Sequence, residues 1–175
     1  VLGREENAEF IQFRPGSFVV SDKASVPTSM DSSWQKVWSS FIEKPLDSVN
    51  VDETPTIFLF RPTYANPCFW MASMYNLFVA LTKWNLLETH VRLVFMDGHA
   101  HGQLDDEWAN VFLIDQVLHV KQLPAGVTYT QAYFLNTESA FHDPGLRRHR
   151  VGDACRSDSS LHQFRDFVLT NLGLS

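Results

Sequence analysis

The run from Thr54 to Trp108 constrains this chain more than any other. It holds two short apolar blocks, Ile57 to Phe60 and Val91 to Met96, on either side of a helix-length segment, Phe69 to Trp84. Apolar blocks without polar alternation are what strands look like when both faces of a parallel sheet are covered. The segment between them is too long for a strand and rich in good helix formers. A strand, a crossover helix and a parallel strand are therefore expected. In open α/β sheets ligands gather at the carboxyl ends of the strands. Asp97, Gly98 and His99 follow the second block directly, so they stand where a site is expected.

The flanks extend this α/β reading. Phe10 to Phe13 and Phe18 to Val20 are short β-like runs around Arg14, Pro15 and Gly16, which suits a hairpin or an extended arm. Asp31, Ser32 and Ser33 can cap a short helix whose apolar stripe is Trp34, Val37, Trp38, Phe41 and Ile42, stopped by Pro45. A polar linker, Leu46 to Glu53, leads into the first block. Within the central helix Pro67 suits the first turn, and apolar residues nearly all round predict burial between layers. Asp105, Asp106 and Glu107 read as acidic charge on the first turn of a helix with Trp108, Val111, Phe112 and Ile114 on its apolar side. Val117 to Val120 and Val127 to Asn136 are further strand candidates. Ser157 or Asp158 is placed to cap a last helix with Leu161, Phe164, Phe167, Val168 and Leu169 on its buried side, ended by Gly173. The division expected is an N-terminal arm with a short helix, residues 1–53, and an α/β unit, residues 54–175.

Charge and composition narrow the function. A net charge of −6 and a pI near 5.6 argue against a nucleic-acid surface, since phosphate contacts come from clustered Lys and Arg. The one basic cluster, Arg147, Arg148, His149 and Arg150, reads as a solvated loop. No apolar run reaches the ~18 to 20 residues of a membrane span. The chain starts with Val, which suits a processed product or a fragment. Cys68 and Cys155 are too few for a disulfide framework or a cysteine zinc site; they read as two buried thiols or as one long-range disulfide of an oxidising lumen. No GxSxG, P-loop or GxGxxG is present.

The titratable groups concentrate at Asp97, His99, His101, Asp105, Asp106 and Glu107. Carboxylates and imidazoles this close suit a divalent cation or acid and base work, although no fixed spacing such as HExxH singles out a metal. Asp97 is the strongest candidate, because an acid directly after an apolar strand is hard to justify by packing. It also fits a turn-initiating Asp before Gly98. His142 with Asp143 reads as a loop turn.

Three segments, Arg61-Pro-Thr-Tyr-Ala-Asn66, Val94-Phe-Met-Asp-Gly-His99 and Gln103-Leu-Asp-Asp-Glu-Trp108, together resemble glycosyltransferase family 61. The likeness is nearest to its β-1,2-xylosyltransferases of N-glycan processing, with the EGF-domain O-linked GlcNAc transferases as cousins. The family text reads R-x-E-Y-A-N, V-F-V-D-G-H and Q-L-x-x-x-W in the same order, and the likeness runs from about Thr54 to Leu174. Three positions depart from it: Thr63 stands for the Glu of E-Y-A-N, and Phe69 and Ser73 stand where a His and an Asp are common.

The resemblance implies the Rossmann-like, acceptor-side N-terminal half of a two-domain GT-B enzyme. By the resemblance such an enzyme transfers a sugar, xylose in this subgroup, from a UDP-sugar to a glycan or glycoprotein hydroxyl. It implies Asp97 as base or site organiser with His99 beside it, and Tyr64 and Asn66 on the acceptor side. Arg61 is expected to reach a phosphate. The resemblance names no metal ligand and leaves a divalent metal open. It implies a type II protein of the Golgi or endoplasmic reticulum lumen, held to the membrane by a segment outside this chain. Phe69 and Ser73 motivate the alternative, a non-catalytic glycan-binding remnant or scaffold of the same fold.

Overall fold

A computed structural model describes residues 18–20, 37, 39–44, 50–61, 67–99, 101–136 and 159–174. Tyr64, Asn66 and Cys155 lie outside them, as do the Phe10 to Phe13 run, the Arg147 to Arg150 cluster, the His142–Asp143 pair and the two capping candidates before the last helix.

The strands are β1 (Phe18–Val20), β2 (Phe41–Glu43), β3 (Val51–Asp52), β4 (Thr56–Phe60), β5 (Val91–Phe95), β6 (Ile114–His119), β7 (Thr128–Tyr129) and β8 (Ala132–Asn136). The helices are α1 (Pro67–Lys83), α2 (Glu107–Val111) and α3 (Ser159–Asn171). Four strands form one parallel sheet in the order β6-β5-β4-β8. Chain order therefore reverses between β4 and β8, the kind of switch point at which open α/β sheets take ligands. The architecture is mixed α/β with parallel sheets and is consistent with a Rossmann-like fold.

The apolar blocks explain themselves once both faces are seen. Ile57 and Leu59 of β4, with Leu93 and Phe95 of β5, face one core, shared with Met74, Leu77 and Leu81 of α1, Trp108 and Val111 of α2, and Phe164 of α3. The alternate residues Phe58, Phe60, Val94 and Met96 face a second core with Val37, Phe41 and Phe134. Neither face is left to water, so no alternation survives in the sequence.

Both long helices end in the same way. After α1, Asn85 takes a left-handed φ of 58°, and after α3 Gly173 takes 68°. Leu86 N–H then donates to the Leu81 carbonyl at 2.8 Å, as Leu174 N–H does to Leu169 at 2.8 Å. The left-handed residue and this long back-bond are the Schellman termination.

Several expectations are corrected. The stripe from Trp34 to Ile42 is not one helix: Val37 and Ser39 are helical, but Phe41–Glu43 is a strand paired in parallel with β1. Backbone pairing and the stacking of Phe41 on Phe18, with ring centroids 4.7 Å apart, outweigh a weak local helical preference. Helix α1 is not buried all round, since Met71 and Val79 are exposed. Ile114 belongs to β6, not to α2, which stops at Val111. The stretch Val127 to Asn136 forms two strands in different sheets, β7 on β3 and β8 on β4.

Candidate functional site

The parallel register brings three polar residues to one end of the sheet. Leu59 is opposite Phe95, and Phe95 is opposite His119. Two residues beyond Leu59 and Phe95 come Arg61 and Asp97, so these stand side by side just past the ends of β4 and β5, next to His119 at the end of β6. Their parity matters as much as their level. Arg61 and Asp97 share the strand face of Ile57, Leu59, Leu93 and Phe95, and so are directed into the helix-covered core.

There they form a closed network. Arg61 Nε and Nη2 donate to the two oxygens of Asp97, each at 2.8 Å, a bidentate fork. The Arg61 backbone N–H reaches Asp97 Oδ2 at 3.2 Å, and the His99 N–H reaches Oδ1 at 3.1 Å. Arg61 Nη1 donates to Asp105 Oδ1, while Asp105 Oδ2 accepts the Gly102 N–H at 3.0 Å. The guanidinium carbon lies 3.8 Å from the centre of the Phe95 ring, a cation–π contact in a dry setting. Arg61 is 3% exposed, and Asp97 and Asp105 are each 1% exposed. Charges this deep survive only when paired and hydrogen-bonded; here each Arg61 nitrogen donates to a carboxylate and Asp97 accepts four N–H groups.

The network bears on the expected roles. Asp97 accepts four N–H groups, so its carboxylate is engaged as an organiser of the two strand ends. The bond from His99 N–H is also the two-residue Asx link of a turn-initiating Asp. The Arg61 guanidinium is held by two carboxylates. Asp105 departs from its expected part. It is buried against Arg61, 44 residues earlier in the chain, rather than serving as an exposed helix-start charge; Glu107 alone lies in the first turn of α2.

Outside the network opens a cleft of about 320 Å³ lined by Asp97, Gly98, His99, His101, His119 and the first residues after β6. His119 is the residue that sequence reading passed over, because it sits within the short run Val117 to Val120, read only as a strand. An imidazole closing such a strand is the signal available. Burial, and then the positive charge of Arg61, hold its imidazole below the usual 6.5 despite the opposing pull of Asp97 and Asp105. His101, Asp105 and His119 approach closely enough for one atom from each to lie within 4.8 Å of the others.

Of the residues singled out beforehand, Arg61, Asp97 and His99 are brought together. Phe69 and Ser73 lie in α1, where Ser73 is buried at 3% exposure. Among the described residues no helix is long and apolar enough to cross a membrane. Comparison with protein families, with curated proteins and with solved structures finds no match.

Proposed function

We propose that this chain is the acceptor-side, Rossmann-like half of a GT-B glycosyltransferase of the family 61 type, moving a sugar, xylose by the motif resemblance, from a UDP-sugar to a glycan or glycoprotein hydroxyl. The observation that carries the reading is the meeting of its motif residues. Arg61 of the first segment and Asp97 of the second form one buried bidentate pair, and Asp105 of the third closes it, beside a cleft at the carboxyl ends of parallel strands.

In such a transfer the acceptor oxygen attacks the anomeric carbon, the bond to UDP breaks, and the acceptor proton passes to a base. Asp97 serves as positioning residue through Arg61 and the His99 backbone. His99, on the cleft wall, is the candidate base. The work would take place in the Golgi or endoplasmic reticulum lumen.

A transfer assay with the full-length protein, UDP-xylose and an N-glycan acceptor tests this. His99→Gln should lower kcat by about 100-fold or more, the range of a general base, with the melting temperature unchanged. Wild-type turnover that His99→Gln leaves intact removes His99 from the chemistry. Absence of transfer from any UDP-sugar by the folded wild-type protein removes the enzymatic reading. The second reading is a non-catalytic glycan-binding scaffold. Ser73 favours it, because it puts no carboxylate where the family commonly has one. Glycan binding without turnover would decide for it.

A further inference from the structure

We propose that His101, Asp105 and His119 form a binding site for a divalent transition-metal cation of the zinc type. The proposal rests on the spacing of three side chains and not on the sugar-transfer reading.

His101 Nδ1 stands 3.5 Å and His119 Nε2 3.7 Å from the same oxygen, Asp105 Oδ2. Both separations are long for a hydrogen bond, whose N···O distance is roughly 2.7 to 3.2 Å. They are close to the edge of a metal tetrahedron: two bonds of about 2.0 to 2.1 Å at the tetrahedral angle put ligand atoms roughly 3.4 Å apart. A cation would therefore fill a gap that direct contact leaves open. His119 Nε2 is buried and makes no hydrogen bond, although it faces a carboxylate.

The ligand set selects the metal. Two imidazoles with one carboxylate suit zinc and its first-row neighbours, whereas calcium and magnesium prefer all-oxygen shells. Three protein ligands leave a fourth position open, and two of the three, His101 and His119, line the cleft. Asp105 is held from behind by Arg61 and by the Gly102 N–H, the supporting shell a ligating carboxylate needs. His101 comes from the exposed loop and can turn toward the ion.

One contact must change. In the cap that follows β6 the Gln122 backbone N–H donates to the His119 ring, and because Nε2 is unbonded the acceptor is Nδ1. Ligation through Nε2 places the ring proton on Nδ1, so cation binding and this cap bond exclude one another. Binding should therefore be felt at the Gln122 amide.

Zinc and cobalt titrations of the chain test the site, followed by calorimetry, by the visible bands of tetrahedral cobalt and by amide NMR. The wild type should take up one equivalent saturably, with the Gln122 amide shifting in step. His101→Ala, at an exposed position, and His119→Gln should each weaken binding by at least about 10- to 100-fold, the loss that even outer partners of a ligand cause. His90→Asn, at an exposed imidazole just before the amino end of β5, should bind like the wild type. Circular dichroism confirms that each variant is folded. Absence of saturable binding, affinity that survives both His101→Ala and His119→Gln, or a loss in His90→Asn would overturn the proposal.

Discussion

The sheet carries an arginine–aspartate pair at each end, and the two pairs differ in kind. At the carboxyl end, Arg61 and Asp97 have side chains 3% and 0% exposed, and every oxygen of the carboxylate is taken. At the amino end, Arg92 at the start of β5 meets Asp52 of β3 with side chains 15% and 24% exposed, and Arg92 Nε turns to Gln116 at 3.1 Å. The first pair lies where water cannot replace a lost partner. The second lies where it can. A buried fork that spans both carboxylate oxygens and a partly exposed single contact thus carry unequal energetic weight, and the buried one stands beside the cleft.

Removing one member of each pair exposes the contrast. Asp97→Ala leaves a buried guanidinium with one carboxylate lost and should cost about 3 to 5 kcal/mol. For a chain of this size that is a drop in Tm of about 6 to 20 °C by calorimetry, at about 2 to 4 °C per kcal/mol. Arg61→Lys keeps the charge but loses the fork that spans both Asp97 oxygens and reaches Asp105. Chemical denaturation should show a loss of about 1 to 3 kcal/mol. An Arg61→Lys protein as stable as the wild type would mean that charge alone, not bidentate geometry, holds the strand ends together.

The amino-end pair should yield far less. Asp52→Asn is expected to cost below about 1 kcal/mol at neutral pH, as for partly exposed ion pairs. Its pH dependence gives a sharper test. Burial pushes the Asp52 carboxyl up, but hydrogen bonds from Arg92 and from the Thr54 N–H outweigh this and hold it below the usual 3.8. A depressed carboxylate contributes stability above its unfolded pKa and loses it as pH falls through the folded one. The gap between wild type and Asp52→Asn should therefore be constant near neutrality and shrink below about pH 3.8. Smallest of all, His90→Asn removes a contact to Asp115 between side chains 68% and 51% exposed, and its Tm should match the wild type within error.

How much of this was legible in the sequence follows from how local each signal is. β4, α1 and β5 announced themselves, because strands covered on both faces read as nearly continuous apolar runs and α1 opens on Pro67. Gly173 was equally plain, since a left-handed residue at a helix end is a local requirement. Phe41 and Ile42 misled because their spacing from Val37 fits a helical stripe, and only their pairing with Phe18 and Val19 decides for a strand. Ile114 misled because the apolar run does not mark where α2 stops. The site was half legible. Asp97 stood out as an acid after an apolar strand, but nothing local tells which acid of Asp105, Asp106 and Glu107 turns inward to Arg61. His119 was hidden because its meaning depends on the register of β6 against β5.

The most direct test of the central claim, that a saturated buried pair organises the carboxyl end of the sheet, is a matched set of double-mutant cycles by chemical denaturation. One cycle combines Arg61→Met with Asp97→Asn, and the other Arg92→Met with Asp52→Asn. Coupled contacts show about 0.5 to 3 kcal/mol of interaction; the Arg61–Asp97 cycle should fall at the top of that range and the Arg92–Asp52 cycle at or below the bottom. Equal coupling energies in the two cycles would contradict the account.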